Sequence, residues 1–226
     1  MKKTAAVVIG AISAGVLLGL AVFGMIKFLG KEPQMSSVPL GETASELNGC
    51  YIEDFFAYSG EYPENGSFDT VKDVAALKLK NNSEHDIKYA EITVKSQSGD
   101  YVFLATTWLA GTEMTVLEQS GAKLYDKFSF VSAEITAAAL FDEAPSIHGE
   151  SFEVRRTEDG FSVKNVSGED IPGTVTLYFK ACDENGFFGG ITCKADLEGL
   201  AAGEEKTVYD GLPTSKELKA VFITAE

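Results

Sequence analysis

The chain has 226 residues, of which 45% are hydrophobic and 23% charged, so its composition is that of a folded protein and not of a disordered one. Its 34 acidic residues outnumber its 19 basic residues and give a formal net charge of −15. Such a charge repels nucleic acid and anionic lipid, so we expect no nucleic-acid partner. It is compatible with solubility at a crowded surface, or with a cationic partner such as Ca²⁺ or a basic protein.

The first predicted element is an uncharged run over residues 4–26, with Lys2 and Lys3 before it and Lys27 and Lys31 after it. A helix of this length spans about 34 Å, slightly more than a ~30 Å hydrocarbon core, so the lipid bilayer is the expected partner of residues 4–26. The run is longer than the apolar core of a signal peptide and lacks an A-x-A end, which favours a transmembrane signal-anchor over residues 1–31. A cleaved signal remains the alternative.

The orientation of this anchor follows from the positive charges around it. Two lysines and the amino terminus precede the run and two lysines follow it, which by a narrow margin places the C-terminal part outside the cell membrane. Ala11, Gly15 and Gly19 recur every four residues, so they are a candidate helix-packing face for oligomerisation.

Residues 32–50 are rich in Pro, Ser and Gly and predict a flexible tether. From Tyr51 onwards, short aromatic and β-branched runs alternate with Gly, Asn, Asp and Ser, which is typical of an all-β sandwich. Four short blocks recur in the same order at offsets of 84 to 92 residues. They are residues 80–87 and 164–171, 92–95 and 177–180, 110–116 and 202–208, and 131–134 and 223–226.

This repetition predicts two copies of one domain, over residues 51–143 and 144–226. The second copy shows the clearest strand, residues 174–182, where Val175, Leu177, Phe179 and Ala181 share one face. Lys180 falls on the opposite, solvent-facing side. A turn at residues 183–186 then leads into a return strand, and strands at 207–209 and 218–224 complete the copy. In the first copy, a strand over 127–135 ends the domain, and residues 137–149 connect it to the second copy.

The three cysteines make at most one disulfide, because their number is odd and their spacing fits no metal site. Cys182 and Cys193 lie on opposite faces of the predicted hairpin, which disfavours a bridge between them. We expect Cys193 in the core and Cys182 partly exposed. Cys50 has no predicted partner.

The order of an N-x-S turn, an alternating strand, a D-x-N-G turn and an A-G-E segment resembles bacterial FxLYD-type and related Ig-like envelope domains. Residues 163–167, 177–179, 183–186 and 202–204 carry the resemblance. It implies two tandem Ig-like β-sandwich domains in an envelope protein, and it transfers no catalytic residue.

No catalytic pattern emerges from the sequence. Only two histidines are present, His85 and His148, both in predicted loops, so a His-based triad is disfavoured and no enzyme activity is expected. No phosphate-binding glycine motif occurs, and we expect no cofactor and no metal. Acidic loops could bind Ca²⁺, although none has the spacing of a calcium loop. These loops are Glu61, Glu64 and Asp69; Glu84 and Asp86; and Asp183 and Glu184.

One candidate binding feature is an aromatic contact strip formed by Tyr51, Phe55, Tyr58 and Tyr62. The sequence therefore favours a non-enzymatic, single-pass, membrane-anchored protein of the cell envelope that binds a partner or acts as a spacer. The alternatives are a scaffold or regulatory subunit of a membrane complex, and a secreted binding protein with a cleaved signal. An enzyme would need a deep pocket with converging carboxylates.

Overall fold

The structure, a computed structural model, describes residues 38–39, 49–97, 99–124, 130–209 and 211–225. Every regular element in these ranges is a β-strand, which confirms the all-β prediction. The strands are β1 Val38–Pro39, β2 Cys50–Tyr62, β3 Asp69–Asn81, β4 Ile87–Ser96, β5 Gly99–Trp108, β6 Glu113–Leu117, β7 Phe130–Leu140, β8 Phe152–Arg156, β9 Gly160–Asn165, β10 Ile171–Asp183, β11 Gly186–Leu200, β12 Glu205–Tyr209 and β13 Glu217–Ala225.

The predicted anchor over residues 4–26, with Ala11, Gly15 and Gly19, lies outside the described residues. Among the residues that are described, there is no helix with the length and apolar character needed to span a membrane.

The strands form one large and two small sheets. A shared sheet of seven strands runs in the order β1-β2-β3-β6-β11-β10-β13, and the two small sheets have the orders β5-β4-β7 and β12-β9-β8. We call residues 50–140 the first half and residues 152–225 the second half. The shared sheet joins the halves where β6 and β11 pair in parallel, with Met114 opposite Phe187 and Thr115 opposite Phe188.

Two hydrophobic cores lie on opposite faces of the shared sheet. On β3, Ala75 and Leu77 belong to the first core, whereas Val74 and Ala76, between and beside them, belong to the second. Since neighbouring residues of a strand point to opposite faces, the small sheet β5-β4-β7 covers one face and β12-β9-β8 covers the other. The second core therefore contains side chains from both halves.

Asn81, at the end of β3, organises the turn that follows it. Its Oδ1 accepts hydrogen bonds from the backbone N–H (3.0 Å) and the hydroxyl (2.6 Å) of Ser83. Its Nδ2 donates to the carbonyl oxygens of His85 and Trp108, each at 3.0 Å. One fully buried amide thus satisfies four groups of two different loops.

Asn165, at the end of β9, makes the same set of contacts in the second half. Its Oδ1 accepts from the backbone N–H (3.0 Å) and the hydroxyl (2.7 Å) of Ser167. Its Nδ2 donates to the carbonyl oxygens of Glu169 (2.7 Å) and Leu200 (3.0 Å). The repeated blocks around the two asparagines therefore have the same structure.

The other repeated blocks do not all occupy equivalent positions in the two halves. The pairs of β6 with β3 and of β12 with β9 match, since Glu113 lies opposite Lys80 and Glu205 opposite Lys164. The predicted equivalence of residues 92–95 and 177–180 is wrong, because counting from the hairpin turns pairs Lys95 with Cys182. Residues 131–134 are not equivalent to the described residues 223–225 either, since Ser132 lies opposite Lys95 near the end of β4, whereas Thr224 lies opposite Thr176 towards the middle of β10.

The alternation predicted for residues 174–182 is confirmed on its apolar face, because Val175, Leu177, Phe179 and Ala181 are all buried in the second core. β7, however, continues to Leu140 and includes part of the predicted connecting segment over residues 137–149. A register shift between Ile135 and Ala137 leaves Thr136 unpaired, and its hydroxyl donates to the Glu91 carboxylate (2.6 Å). This bulge lets the strand bend and continue along β4.

At the start of the folded part, Val38 and Pro39 pair with Ile52 and Tyr51, so this piece of the predicted tether belongs to the sheet. The rest of residues 32–48 lies outside the described residues. The three cysteines are free thiols. Cys50 is buried, and Cys182 and Cys193 are both half-buried.

Candidate functional site

The contact between the halves is built around an insertion in β11. Both hairpins begin alike, with Val94 opposite Tyr101 in the first half and Ala181 opposite Phe188 in the second. In β5, the single residue Val102 separates Tyr101 from the next core residue, Phe103. In β11, the four residues 189–192 occupy that place, because the pairing resumes only at Cys193. The inserted residues turn their backbone towards the first half.

Lys180 fills the space behind this insertion and is fully buried. Its Nζ donates hydrogen bonds to the carbonyl oxygens of Thr106 (2.9 Å), Ile191 (2.8 Å) and Gly190 (3.3 Å). Burial lowers the pKa of this amine from 10.5 to about 8, and the nearby Glu64 carboxylate opposes that change. Because an ammonium group has three donors and all three are used, Lys180 links the halves and is not placed as a nucleophile.

Glu64 approaches the same insertion from the first half, on the loop between β2 and β3. Its Oε1 accepts hydrogen bonds from the backbone N–H of Leu117 (2.8 Å) and Gly190 (3.0 Å). Burial raises the pKa of this carboxyl, and the backbone donors and the charge of Lys180 act against that rise. Glu64 of the first half is half-buried and Lys180 of the second half is fully buried, and each charge acts on the pKa of the other across the contact.

Threonine hydroxyls extend this polar contact. Thr106 donates to the carbonyl oxygen of Gly190 (2.7 Å) and lies 2.8 Å from the hydroxyl of Thr192. The Thr192 hydroxyl in turn donates to that of Thr107 (2.9 Å). We call the group formed by Glu64, Thr106, Lys180, Gly190 and Thr192 the junction.

A second polar contact between the halves is made by Glu61 at the end of β2. Its carboxylate accepts hydrogen bonds from the backbone N–H (2.8 Å) and the hydroxyl (2.6 Å) of Ser215, and from the hydroxyl of Thr214. Although burial alone would raise the pKa of Glu61, these hydrogen bonds and the charge of Lys216 lower it. The segment between β12 and β13 is thus attached to the first half.

Gly190 is placed where no side chain fits. A Cβ atom built on it would lie 1.7 Å from the carbonyl oxygen of Leu104 and 3.1 Å from Oε2 of Glu64. We expect Gly190→Ala to lower the free energy of unfolding by about 3 kcal/mol, the upper end for overpacking, because backbone atoms must move. Urea unfolding followed by circular dichroism measures this. Gly149→Ala is the control, because a Cβ there meets nothing within 4 Å; equal effects of the two variants would contradict the expected close contact.

The junction also predicts a dependence of stability on pH. Lys180 has a pKa of about 8 when folded and 10.5 in its ordinary state, so between these values the unfolded chain binds more protons at this site. The stability contributed by this group therefore rises with pH over that interval. Cys50 and Tyr62 act in the opposite direction at higher pH, because burial raises their pKa values to about 11 and about 12.

Comparison with Lys180→Met isolates the contribution of the lysine. We expect the difference in the free energy of unfolding between the native chain and this variant to widen from pH 7.5 to pH 10, measured by urea unfolding in matched buffers. A difference that stays constant or narrows would show that folding does not lower the pKa of Lys180.

A surface depression lies in the second half, at the end of β12. It has a volume of about 440 Å³ and is lined by Tyr209 and by side chains of both charges. The charged members are Arg156, Glu158, Asp159 and Lys216. We call this depression the Tyr209 groove. It is open and polar, unlike the enclosed and mostly apolar clefts that bind small molecules.

Two cations of this groove are held in place by aromatic rings. The Arg156 guanidinium lies 5.0 Å from the centre of the Phe161 ring, and Lys216 Nζ lies 4.3 Å from the centre of the Phe188 ring. Lys216 also pairs with Asp183 at 3.7 Å. Both side chains are therefore ordered before any ligand arrives.

The predicted aromatic strip is not an exposed surface. Phe55 and Tyr62 are buried, and Tyr51 and Tyr58 are half-buried. Phe55 packs edge-on in the first core, whereas the Tyr62 hydroxyl donates to the carbonyl oxygens of Glu118 and Gln119. Because consecutive residues of β2 alternate between the two cores, a strip read along the sequence is divided between two faces.

The acidic loops are also used differently from a cation site. Glu61 and Glu64 are taken up by contacts between the halves, and Asp69 accepts a hydrogen bond from Ser67 (2.7 Å). In the described part of the chain, no group of three His, Cys, Asp or Glu side chains is arranged to hold a metal ion.

The features of this site that the sequence did not reveal are the burial of Lys180 and the exposure of Tyr209. The pair Gly189 and Gly190 was the available signal, because adjacent glycines within a strand indicate a bulge or a close approach of backbone. Comparisons with protein-family models, with curated proteins and with solved structures find no match to this chain.

Proposed function

We propose that this chain is a single-pass membrane-anchored protein of the cell envelope that binds a partner or acts as a spacer on the extracytoplasmic side, without enzymatic activity. Residues 4–26 cross the bilayer, residues 32–50 connect the anchor to the folded part, and two Ig-like β-sandwiches follow.

The observation that carries the proposal is the uncharged run over residues 4–26, bounded by lysines on both sides and followed by a folded part that is all-β. The contacts between the halves support it. A sheet that continues through both halves, together with the hydrogen bonds of Lys180 to Thr106 and of Gly190 to Glu64, holds the second half in a fixed position relative to the first. Such an arrangement suits a protein that presents a surface at a set distance from a membrane.

Protease accessibility tests the topology. The full chain, carrying an epitope after Glu226, is expressed in a bacterial host, and intact cells are treated with proteinase K. The outer barrier of the cells is permeabilised, and their inner membrane is left closed. We expect the protease to remove the epitope, while a cytoplasmic marker protein stays whole. Protection of the epitope until the inner membrane is lysed would contradict the proposed orientation.

Extraction of membranes with alkaline carbonate tests the anchor. We expect the chain to remain in the membrane pellet at the full-length mass of 24.2 kDa. Replacing Val16 and Leu17 by lysine is expected to release it, because each charge near the centre of the run costs about 3 kcal/mol of insertion free energy. A shorter, soluble product of the native chain would support the secreted alternative instead.

A further inference from the structure

The register of the two halves shows that Tyr209 occupies the position of Leu117. Leu117 lies opposite Ala76 at the end of β6, and Tyr209 lies opposite Gly160 at the end of β12. Leu117 is four residues after Glu113, the first residue of β6, and Tyr209 is four residues after Glu205, the first residue of β12. The two side chains nevertheless differ in environment, since Leu117 is fully buried and Tyr209 is 71% exposed.

Leu117 is buried because the second half covers this end of β6. The first residues of β11 pair in parallel with β6, through Phe187 opposite Met114 and Phe188 opposite Thr115. Phe188 then enters the second core, which also contains Leu117 and Ala76. Within the molecule, β11 therefore adds to the edge of β6 and places an aromatic ring in the same core as Leu117.

The corresponding edge in the second half has no such partner among the described residues. β12 pairs with β9 on one side only, and it is a terminal strand of its sheet. Thr207, which corresponds to Thr115, is exposed. The Tyr209 groove lies next to it, at the end of β12.

We propose that the edge of β12 and the Tyr209 groove bind an extended segment of a partner protein, which adds as a parallel strand and places an aromatic side chain against Tyr209. Main-chain hydrogen bonds along β12 would supply affinity, and the aromatic position would supply selectivity. Arg156 and Lys216 line the groove and place positive charge near the incoming ring, which favours an aromatic side chain there. The proposal rests on the proposed binding function and names the kind of partner.

The segment that β6 accepts indicates the chemistry of this partner. It reads Gly186-Phe187-Phe188, a glycine followed by two aromatic residues, and a Cβ atom built on this glycine would lie 2.6 Å from the Glu113 carbonyl oxygen of β6. A second copy of this chain does not supply an equivalent segment from its first half. There β5 has Val102 alone in place of the inserted residues 189–192, and the Val102 carbonyl already accepts from Gln119 N–H (2.9 Å).

The probe for this proposal is a fluorescein-labelled synthetic peptide with the sequence of residues 184–192, ENGFFGGIT. Binding to the full-length chain, purified in mild detergent, is measured by fluorescence polarisation. We expect saturable binding, and we expect the peptide with both phenylalanines replaced by alanine to bind at least tenfold more weakly.

Two further peptides test strand addition directly. One is the probe peptide with every second backbone nitrogen methylated. The other has the methyl groups on the backbone nitrogens that the first peptide leaves unmodified. A strand that adds to an edge turns only every second N–H towards it, so one set should abolish binding and the other should leave it within about threefold. Equal loss or equal retention for both sets would overturn strand addition.

Protein variants place the binding site. Tyr209→Ala should weaken binding at least tenfold, whereas Val166→Ala, an exposed apolar residue in the turn after β9, should leave it unchanged. An unchanged affinity in Tyr209→Ala would mean that the peptide displaces β11 from β6, and would overturn the proposal. Failure of peptide binding with a correct membrane topology would reject this surface alone, whereas a wrong topology with intact binding would reject the envelope location alone.

Discussion

Replacing Lys180 by methionine is expected to lower the free energy of unfolding by about 3 kcal/mol, because three hydrogen bonds worth about 1 kcal/mol apiece are lost. The substitution removes the donors to three carbonyl oxygens, those of Thr106, Gly190 and Ile191. It also removes the positive charge that favours the ionised form of the Glu64 carboxyl. Methionine has a similar length, so little of the effect comes from a cavity. Urea unfolding followed by tryptophan fluorescence, with Trp108 as the reporter, measures it.

Lys95→Met is the matched control, because Lys95 pairs with Glu134 at 2.6 Å on an exposed surface. An exposed ion pair contributes about 0–1 kcal/mol, so this variant should be close to the native chain. A loss below about 1 kcal/mol in Lys180→Met would show that water reaches the junction.

The double variant Glu64→Gln with Lys180→Met separates charge from packing. The introduced amide side chain keeps an oxygen that can accept from the N–H groups of Leu117 and Gly190, but it carries no charge. We expect the double variant to be more stable than the sum of the single effects by at least about 1 kcal/mol, within the range of coupling energies between residues in contact. Additive effects would contradict a direct charge interaction between the two residues.

Strands with one solvent-facing side were predictable from the sequence. In residues 174–182 the apolar positions repeat with a period of two, and the side chains at those positions are buried. The asparagine turns were also visible as a repeat, because the same residue types are needed to satisfy the same four groups at Asn81 and Asn165. Local patterns succeed where the burial of a residue depends on its own strand.

The position of Lys180 could not be obtained in this way. Its side of β10 reads as solvent-facing, and the space that takes its side chain is created by residues 189–192 and by Thr106, which is 74 residues away in sequence. The same reason explains the aromatic strip. Tyr62 and Phe55 are buried by opposite cores of the shared sheet, and the sequence of β2 alone does not show that a second sheet covers each face.

Tyr209 shows the converse difference. Its strand has the same sequence pattern as β6, yet β11 pairs with the edge of β6, whereas no strand among the described residues pairs with the outer edge of β12. The duplicated pattern predicts the strand, whereas the presence of a neighbouring unit decides its burial. A duplicated fold therefore leaves one edge without the partner that its counterpart has, which is the physical basis of the proposed binding surface.

Asn81→Ala and Asn165→Ala are each expected to lower the free energy of unfolding by about 3–4 kcal/mol, because each removes four hydrogen bonds worth about 1 kcal/mol apiece. The carbonyl oxygens of Trp108 and Leu200 would lose these donors in a buried site. Ser83→Ala, which removes one hydroxyl contact to Asn81, should cost about 1 kcal/mol. Asn82→Ala is the control, since Asn82 is exposed and should change stability by less than about 0.5 kcal/mol.

The pair of asparagine variants also reports on whether the halves unfold together. Because the shared sheet and the second core contain residues of both halves, we expect one calorimetric transition in the native chain, shifted as a whole by either substitution. If the halves were independent, Asn81→Ala would move only one of two transitions and Asn165→Ala only the other. Two separate transitions would also remove the reason for the large effect expected at Lys180, since its partner Glu64 lies in the other half.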